Sequence, residues 1–321
     1  MNATVLRRKK EKPSQRLPYN KTNIFKRFWK TRFLFVLFLP ALVYYIMFKY
    51  VPMWGVSIAF YKYSIYKGLP GSKFVGLQHF KTFFNAPDWF QYTKNTFALG
   101  LMGCCISFPL TIIFALMLNE VRGARFKKIT QTVSYLPHFL STVVIVSLMK
   151  TLCDPTSGII NKMIVSLGGS PIYFFTEANW FRPLYEISSV WAGLGWSTIV
   201  YLAAISAVDP GLYEAARLDG AGRWRQMWNI TLPSIMPTVS TMFIMKVGGI
   251  LGDSMEKVLL MQHPITFKYS MTLSTFVYQV GLGQSKYDYS TAVSLVTSLV
   301  NLAFLFGANW VSKKLTENSI F

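Results

Sequence analysis

Six long apolar runs divide the chain, and polar or basic segments separate them. A helix needs about 20 apolar residues to cross the hydrocarbon core of a bilayer, and each run approaches that length. The runs lie near residues 33–50, 95–119, 131–152, 185–208, 234–252 and 289–311. Because lipid cannot satisfy the backbone groups of an open sheet edge, this pattern predicts a bundle of transmembrane helices. The first run continues through 51–61, which predicts a longer helix kinked at Pro52 or an interfacial segment.

Composition supports this prediction. The chain is 52% hydrophobic and 14% charged, whereas a soluble domain carries about 25% charged residues. Its 16% of aromatic residues suits several membrane–water interfaces. We therefore predict an all-α polytopic membrane protein with six transmembrane helices. The three cysteines and three histidines show no metal-ligand spacing, and the thirteen acids are not clustered, so neither a metal site nor a catalytic site is predicted.

The net charge of +20 is explained by topology. Basic residues number eleven, four, three and two in segments 1–32, 120–129, 209–233 and 312–321, against four, two and three in 51–92, 153–183 and 253–287. Cytoplasmic loops carry the excess of Lys and Arg, so both termini are predicted to be cytoplasmic. The charge therefore does not indicate a nucleic-acid partner.

Three regions follow from this map. Residues 1–32 are predicted to be a basic cytoplasmic arm that contacts anionic headgroups, residues 33–311 the membrane domain, and residues 312–321 a cytoplasmic tail. The chain has no GxxxxGK[ST] motif, so no nucleotide site of that type is predicted.

The segment 209–233 contains YEAARLDGAGRWRQMWNITLP between two apolar runs. Asp209 and Pro210 are typical of a helix start, and residues 214–218 favour helix. Gly220 and Gly222 predict a turn, after which Arg223 to Ile230 can form a second short helix with Trp224, Met227 and Trp228 on one side. The fifth span is then expected to begin at Pro233. The pattern predicts a helical elbow on the cytoplasmic face.

This segment resembles the EAA signature of membrane subunits of binding-protein-dependent ABC importers. The signature residues are Glu214, Ala215, Ala216, Gly220, Ile230, Leu232 and Pro233. The stretches LFLPALVYYIMFKYVPMWGVSIAFYKYS and FVGLQHF are similar to the sugar-permease branch, especially its oligosaccharide permeases. The resemblance covers about residues 30–315.

The resemblance implies a MetI-like permease fold in a bacterial cell membrane. It also implies four kinds of partner: a second, homologous permease, a cytoplasmic ATPase dimer that docks on the elbow, an extracellular lipid-anchored binding protein and a carbohydrate substrate. ATP and Mg²⁺ would then be bound by the ATPase, and this chain would hold no cofactor. Glu214 offers a carboxylate that an arginine of the ATPase could bind.

Polar residues inside the runs indicate where a substrate could pass, because such residues are costly in lipid. In the fourth run Ser189, Gly193 and Trp196 fall on one helical face, and in the fifth run Lys246, Gly249 and Asp253 do so. An aromatic ring beside hydrogen-bonding groups suits a sugar. The alternatives are helix packing for Trp196 and an ion pair with the second permease for Lys246.

Two other functions compete with the importer. An ion-coupled secondary transporter acting alone would be favoured by inverted repeats, which are not evident here. A membrane-embedded transferase would need catalytic carboxylates near one face. The sequence specifies neither the sugar nor the identity of the second permease and the ATPase.

Overall fold

The computed structural model describes residue 29 and residues 31–316. Most of these residues are helical. Five helices are long and apolar enough to cross a membrane: Arg32–Phe60, Trp89–Glu120, Ala178–Ser206, Arg223–Gly248 and Tyr287–Lys314. A bent pair, Ala124–Phe139 and Thr142–Leu152, adds a sixth if it is counted as one span. We number these six the first to sixth spans in chain order, the bent pair being the third. The predicted all-α membrane fold is confirmed.

The α-helices have the following bounds: α1 Arg32–Tyr45, α2 Val51–Met53, α3 Gln78–Asn85, α4 Trp89–Met102, α5 Phe108–Glu120, α6 Ala124–Tyr135, α7 Thr142–Leu152, α8 Ile159–Ser166, α9 Phe181–Ser206, α10 Pro210–Leu218, α11 Arg223–Gln226, α12 Leu232–Gly248, α13 Met255–Met261, α14 Phe267–Ser270, α15 Leu273–Tyr278 and α16 Tyr287–Thr316. The antiparallel strands β1 Tyr61–Lys62 and β2 Lys73–Phe74 form a two-stranded ribbon. π-Helical turns at Ile46–Tyr50, Gly103–Ser107, Met227–Thr231 and Gln279–Gly283 join or extend helices.

The chain divides into two compact units, residues 1–55 and 56–321. In the first unit, α1 contains Pro40 and has no buried residue. Its exposed side chains are apolar, as lipid or an apolar partner surface requires. The basic arm predicted for 1–32 lies almost entirely outside the described residues, as do residues 317–321 of the predicted tail. Residues 312–316 of that tail continue α16.

The fifth span differs from the sequence prediction at both ends. It begins at Arg223 instead of residue 234, because the π-turn Met227–Thr231 continues the helix without a break. The second elbow helix is therefore the start of the span, and Met227 is buried while Trp224 and Trp228 are exposed. The span ends at Gly248, before residue 252. Asp253 consequently lies beyond the helix, and the prediction that it shares a helical face with Lys246 is wrong.

The third span, predicted near 131–152 as one transmembrane helix, is broken into two helices. The helix direction bends by 102° between its two halves. Pro137 lies in a 3₁₀ turn at the end of the first half, and Leu140 and Ser141 are extended. Proline cannot donate a backbone hydrogen bond, and Ser141 caps the second half by accepting from the Val144 amide. The first half begins at Ala124, inside the segment predicted to be a loop.

Contacts within the second unit define its two ends. Glu120 at the end of the second span is 3.6 Å from Arg223 at the start of the fifth, and we call this the elbow end. At the opposite end the buried Asn95 amide donates to the carbonyls of Lys268 and Met271 and accepts from Arg182 Nη2 at 2.9 Å. The second and fourth spans therefore run parallel, and the fifth runs against them.

Candidate substrate cleft and coupling elbow

The elbow, residues 209–222, joins the fourth and fifth spans through α10. Asp209 caps α10 by accepting from the Gly211 amide at 2.9 Å, and Pro210 takes the first helical position. At the other end Gly220 has φ +74°, a left-handed conformation that glycine adopts at low cost. The Ala221 amide then donates to the Ala216 carbonyl at 2.8 Å. The sequence thus specifies both ends of the helix, as predicted.

The elbow is fixed to the bundle but leaves one side open. The hydroxyls of Tyr213 and Thr231 are 2.9 Å apart, and Gln226 donates to the Ala221 carbonyl. Leu218 is 90% exposed and Leu212 is 49% exposed. Exposed apolar side chains on a short, well-capped helix form a surface that a partner protein can cover.

Four of the seven signature residues lie in the elbow and three near the start of the fifth span, and all seven are exposed or partly exposed. Glu214, Ala215 and Gly220 are exposed, and Ala216 is half-buried. Ile230 falls in the π-turn, and Leu232 and Pro233 open α12. A cavity of about 570 Å³ lies between the elbow and the end of the second span. It is lined by Asn119, Glu120, Arg122, Tyr213, Arg217, Ala221, Gly222, Arg223 and Gln226.

A small, partly enclosed cavity of about 90 Å³, which we call the closed cavity because it is less open than the neighbouring cleft, lies where the second, fourth and fifth spans meet. Its walls are mostly polar or glycine: Leu99, Gly100, Gly103, Ser107, Tyr185, Glu186, Ser189, Lys246, Gly249, Ile250 and Gly252. The Glu186 carboxylate is 3% exposed and accepts a 2.5 Å hydrogen bond from Ser107 Oγ. The π-turn that ends at Ser107 lies near the middle of the second span, and π-turns are frequent at functional sites.

An open cleft of about 330 Å³ adjoins this closed cavity. Ser107 and Lys246 line both spaces. The remaining cleft residues are Phe108, Thr111, Trp196, Ser197, Val200, Tyr201 and Met242. A β-carbon on Gly103 would lie 3.0 Å from Lys246 Nζ, so the glycine lets the ammonium group approach the second span. This cleft offers a cation, hydroxyl groups and aromatic rings, which together suit a sugar.

The predicted substrate-path residues divide into two groups. Ser189, Lys246 and Gly249 meet at the closed cavity, and Trp196 reaches the open cleft. Gly193 and Asp253 line neither space, and Asp253 instead accepts a 2.7 Å hydrogen bond from Thr272. One face of the Trp196 indole is covered by the His138 ring, whose centroid is 4.4 Å away and nearly parallel.

Two charged residues near the closed cavity, Glu186 and Lys257, were not predicted from the sequence. Glu186 carried the stronger signal, because a carboxylate in an apolar run is costly and usually functional. Lys257 is 7% exposed, and its amine donates at 2.7 Å to the Tyr185 carbonyl and to Ser189 Oγ. The same amine lies 4.3 Å from the centre of the Tyr185 ring. Lys257 falls in a polar connecting segment, so its sequence context gave no signal.

Comparison with known proteins assigns the family. The family described as "Binding-protein-dependent transport system inner membrane component" matches residues 107–317. The chain is 46% identical to the polygalacturonan/rhamnogalacturonan transport system permease protein YteP of Bacillus subtilis (strain 168), over 90% of each chain. It is 43% identical to the protein LplB of the same organism, over 91% of this chain and 92% of the relative.

The fold has a counterpart among solved structures. A chain of a bacterial alginate ABC transporter, crystallised in complex with an alginate pentasaccharide-bound periplasmic protein, matches with a TM-score of 0.84 and 35% identity. The match covers 93% of this chain and 100% of that chain. These similarities favour neither a solitary secondary transporter nor a transferase. The chain belongs to the family of inner-membrane permease components of binding-protein-dependent ABC transport systems, which are transporters and not enzymes.

Proposed function

We propose that this chain is one of two permeases of an ATP-driven importer that carries an acidic oligosaccharide into the cytoplasm by alternating access. The observation that carries the proposal is the exposed elbow with its complete signature. Glu214 and the apolar Leu212 and Leu218 lie on a short helix that is capped at both ends and hydrogen-bonded to the fifth span. Such an element can transmit a movement of a docked ATPase to the membrane helices as a rigid body.

The substrate class draws on the relatives and on the cleft. One relative is named for polygalacturonan and rhamnogalacturonan transport, and a second alginate transporter structure is described as importing an acidic polysaccharide. That structure matches with a TM-score of 0.83 and 35% identity. Lys246 supplies a cation to the open cleft here. A carboxylate group on a sugar is the chemistry that such a cation attracts.

We infer the partners from the family resemblance and from the cleft. The cleft is open on one side and too small for an oligosaccharide chain, so a second, different permease would complete the path. A cytoplasmic ATPase dimer would dock on the two elbows, and an extracellular lipid-anchored binding protein would deliver the sugar at the opposite end. The relative crystallised with a periplasmic protein supports this last partner. The basic segments favour cytoplasmic termini and a cytoplasmic elbow.

Purification of the complete transporter tests the proposal. The tagged permease is expected to co-purify with a second permease and an ATPase from the native membrane. In proteoliposomes, ATP hydrolysis should rise several-fold when the binding protein loaded with trigalacturonate is added. A permease that purifies without an ATPase, or that moves sugar without ATP, would contradict the proposed function.

A further inference from the structure

Glu186 is a buried carboxylate that the proposed transport path leaves without a role. It lies well inside the fourth span, where an ionised group needs a compensating charge. Ser107 provides one hydrogen bond from the second span. The carboxylate faces the closed cavity, and Lys246 lines the same cavity from the fifth span.

Two lysines lie near the cavity that this carboxylate faces, and they differ in how firmly they are held: Lys246 lines the cavity, and Lys257 bonds to two residues that line it. The Lys257 amine is fixed by two hydrogen bonds and by the Tyr185 ring, and it is nearly inaccessible. Lys246 is exposed. Within residues 31–316, no salt bridge or hydrogen bond holds its amine, which rests against the bare backbone of Gly103. Lys246 is therefore free to change its position, whereas Lys257 is not.

The position of Lys246 gives it two destinations. On one side lies the closed cavity with Glu186, and on the other lies the open cleft with Trp196. A lysine side chain rotates about four carbon–carbon bonds, so its amine can move from one space to the other without movement of the helix. When it turns away, the Glu186 carboxylate still accepts the hydrogen bond from Ser107 Oγ.

We propose that Lys246 is a mobile cation that binds a carboxylate of the transported sugar in the open cleft, and that Glu186 opposes this binding by attracting the same amine across the closed cavity that both residues line. This inference rests on the proposed function and names the residues that would recognise an acidic sugar within the membrane. Glu186 and the sugar then compete for one amine. Removal of the Lys246 charge should therefore weaken sugar binding, and removal of the Glu186 charge should strengthen it.

Equilibrium dialysis of the purified complex of both permeases and the ATPase tests this competition. The binding protein is left out because it would itself bind the sugar. The measured affinity is then that of the membrane site alone. The probes are trigalacturonate and its methyl ester, which differ in charge. Lys246→Met should weaken trigalacturonate binding roughly tenfold or more, the loss expected for one charge-assisted hydrogen bond, and should leave ester binding within twofold. Glu186→Gln should tighten trigalacturonate binding about three- to tenfold, because the internal competitor is gone.

Matched variants separate this role from a structural one. Lys246→Arg keeps the charge and should keep the preference for trigalacturonate, whereas Lys150→Met and Glu177→Gln remove charges that lie outside both spaces and should change nothing. Lys246 is exposed, so its variants test the inference even if Glu186→Gln fails to assemble. Unchanged binding in Lys246→Met, or equal weakening of both probes in Glu186→Gln, would overturn the inference. If wild-type complex contains no ATPase, the proposed function fails instead.

Discussion

Asn95 joins the second span to the chain that follows the fifth span. Both its amide nitrogen and its amide oxygen form hydrogen bonds. Its amide nitrogen donates to two carbonyls, and its oxygen accepts from Arg182 and from Gln91. The residue is fully buried. A buried polar group that loses its partner costs about 1–3 kcal/mol, so this amide has a large effect for one residue.

Asn95→Leu should therefore lower the thermal unfolding midpoint of the purified complex. Leucine has a similar size but cannot bond to the Lys268 and Met271 carbonyls, so the Met271 carbonyl and Arg182 lose a partner at about 1–3 kcal/mol each, whereas the Lys268 carbonyl keeps its bond from Gln91. The matched control is Asn179→Leu, because Asn179 is exposed at the same end of the bundle. Equal midpoints for the two variants would show that the Asn95 bonds contribute nothing.

The sequence singles out Lys246 as a candidate and does not single out Glu186, and the reason is the position of each residue in its apolar run. Lys246 lies deep in the fifth run, where a charge is conspicuous. The fourth run begins at residue 185, which places Glu186 at its polar edge. In the structure the span begins at Ala178, so Glu186 lies inside it. Aromatic residues 180 and 181 extend the helix beyond the hydropathy boundary.

Among the elements, the elbow was the most predictable, since its helix ends depend on local chemistry. An Asp-Pro start and a glycine in the left-handed region act within a few residues and need no tertiary context. The break of the third span and the early end of the fifth depend on packing. At Gly100 a β-carbon would collide with the Ile250 carbonyl, which shows that the chain after the fifth span passes directly against the second.

The turn of the elbow can be tested with one substitution at two glycines. Gly220→Ser puts a side chain on a residue with φ +74°, which costs about 1–2 kcal/mol and strains the end of α10. Ligand-stimulated ATP hydrolysis should fall several-fold. Gly222→Ser is the matched control, because Gly222 has φ −69°, caps α11 and has open space at its β-carbon. Similar activities for the two variants would contradict a rigid elbow.

Glu214 tests the docking role of the same element. Glu214→Ala removes an exposed carboxylate from α10, and the helix should persist because alanine favours helix. Loss of a charge-assisted contact with an ATPase arginine should cost about 1.5–3 kcal/mol of docking energy. The amount of ATPase that co-purifies should therefore decrease, while the permease still inserts in the membrane. Asp219→Ala, at the end of α10, is the control, and equal ATPase recovery in both variants would remove Glu214 from the docking surface.

For the whole molecule, the open question is whether the bent third span crosses the membrane. Contacts within the second unit answer it. Asn95 and Arg182 join the starts of the second and fourth spans, and Glu120 and Arg223 join the end of the second to the start of the fifth. The chain between Glu120 and Ala178 must therefore pass from the elbow end to the opposite end. We infer that the bent pair makes that crossing in two halves.

We predict that six crossings place both ends of the chain on one side, and the charge pattern favours the cytoplasm for that side. A reporter fused after Leu315 should be cytoplasmic, as should a cysteine placed at Gly222 in the elbow, whereas a cysteine at Gly169 should be external. Accessibility to a membrane-impermeant thiol reagent in intact cells measures the two cysteine positions, in a background without Cys104, Cys105 and Cys153. If the bent pair were re-entrant, the chain would cross the membrane only five times. Residue 169 would then be cytoplasmic and the elbow external. Labelling of Gly222→Cys but not Gly169→Cys in intact cells would establish that arrangement and would contradict both the six-span map and the cytoplasmic elbow on which coupling depends.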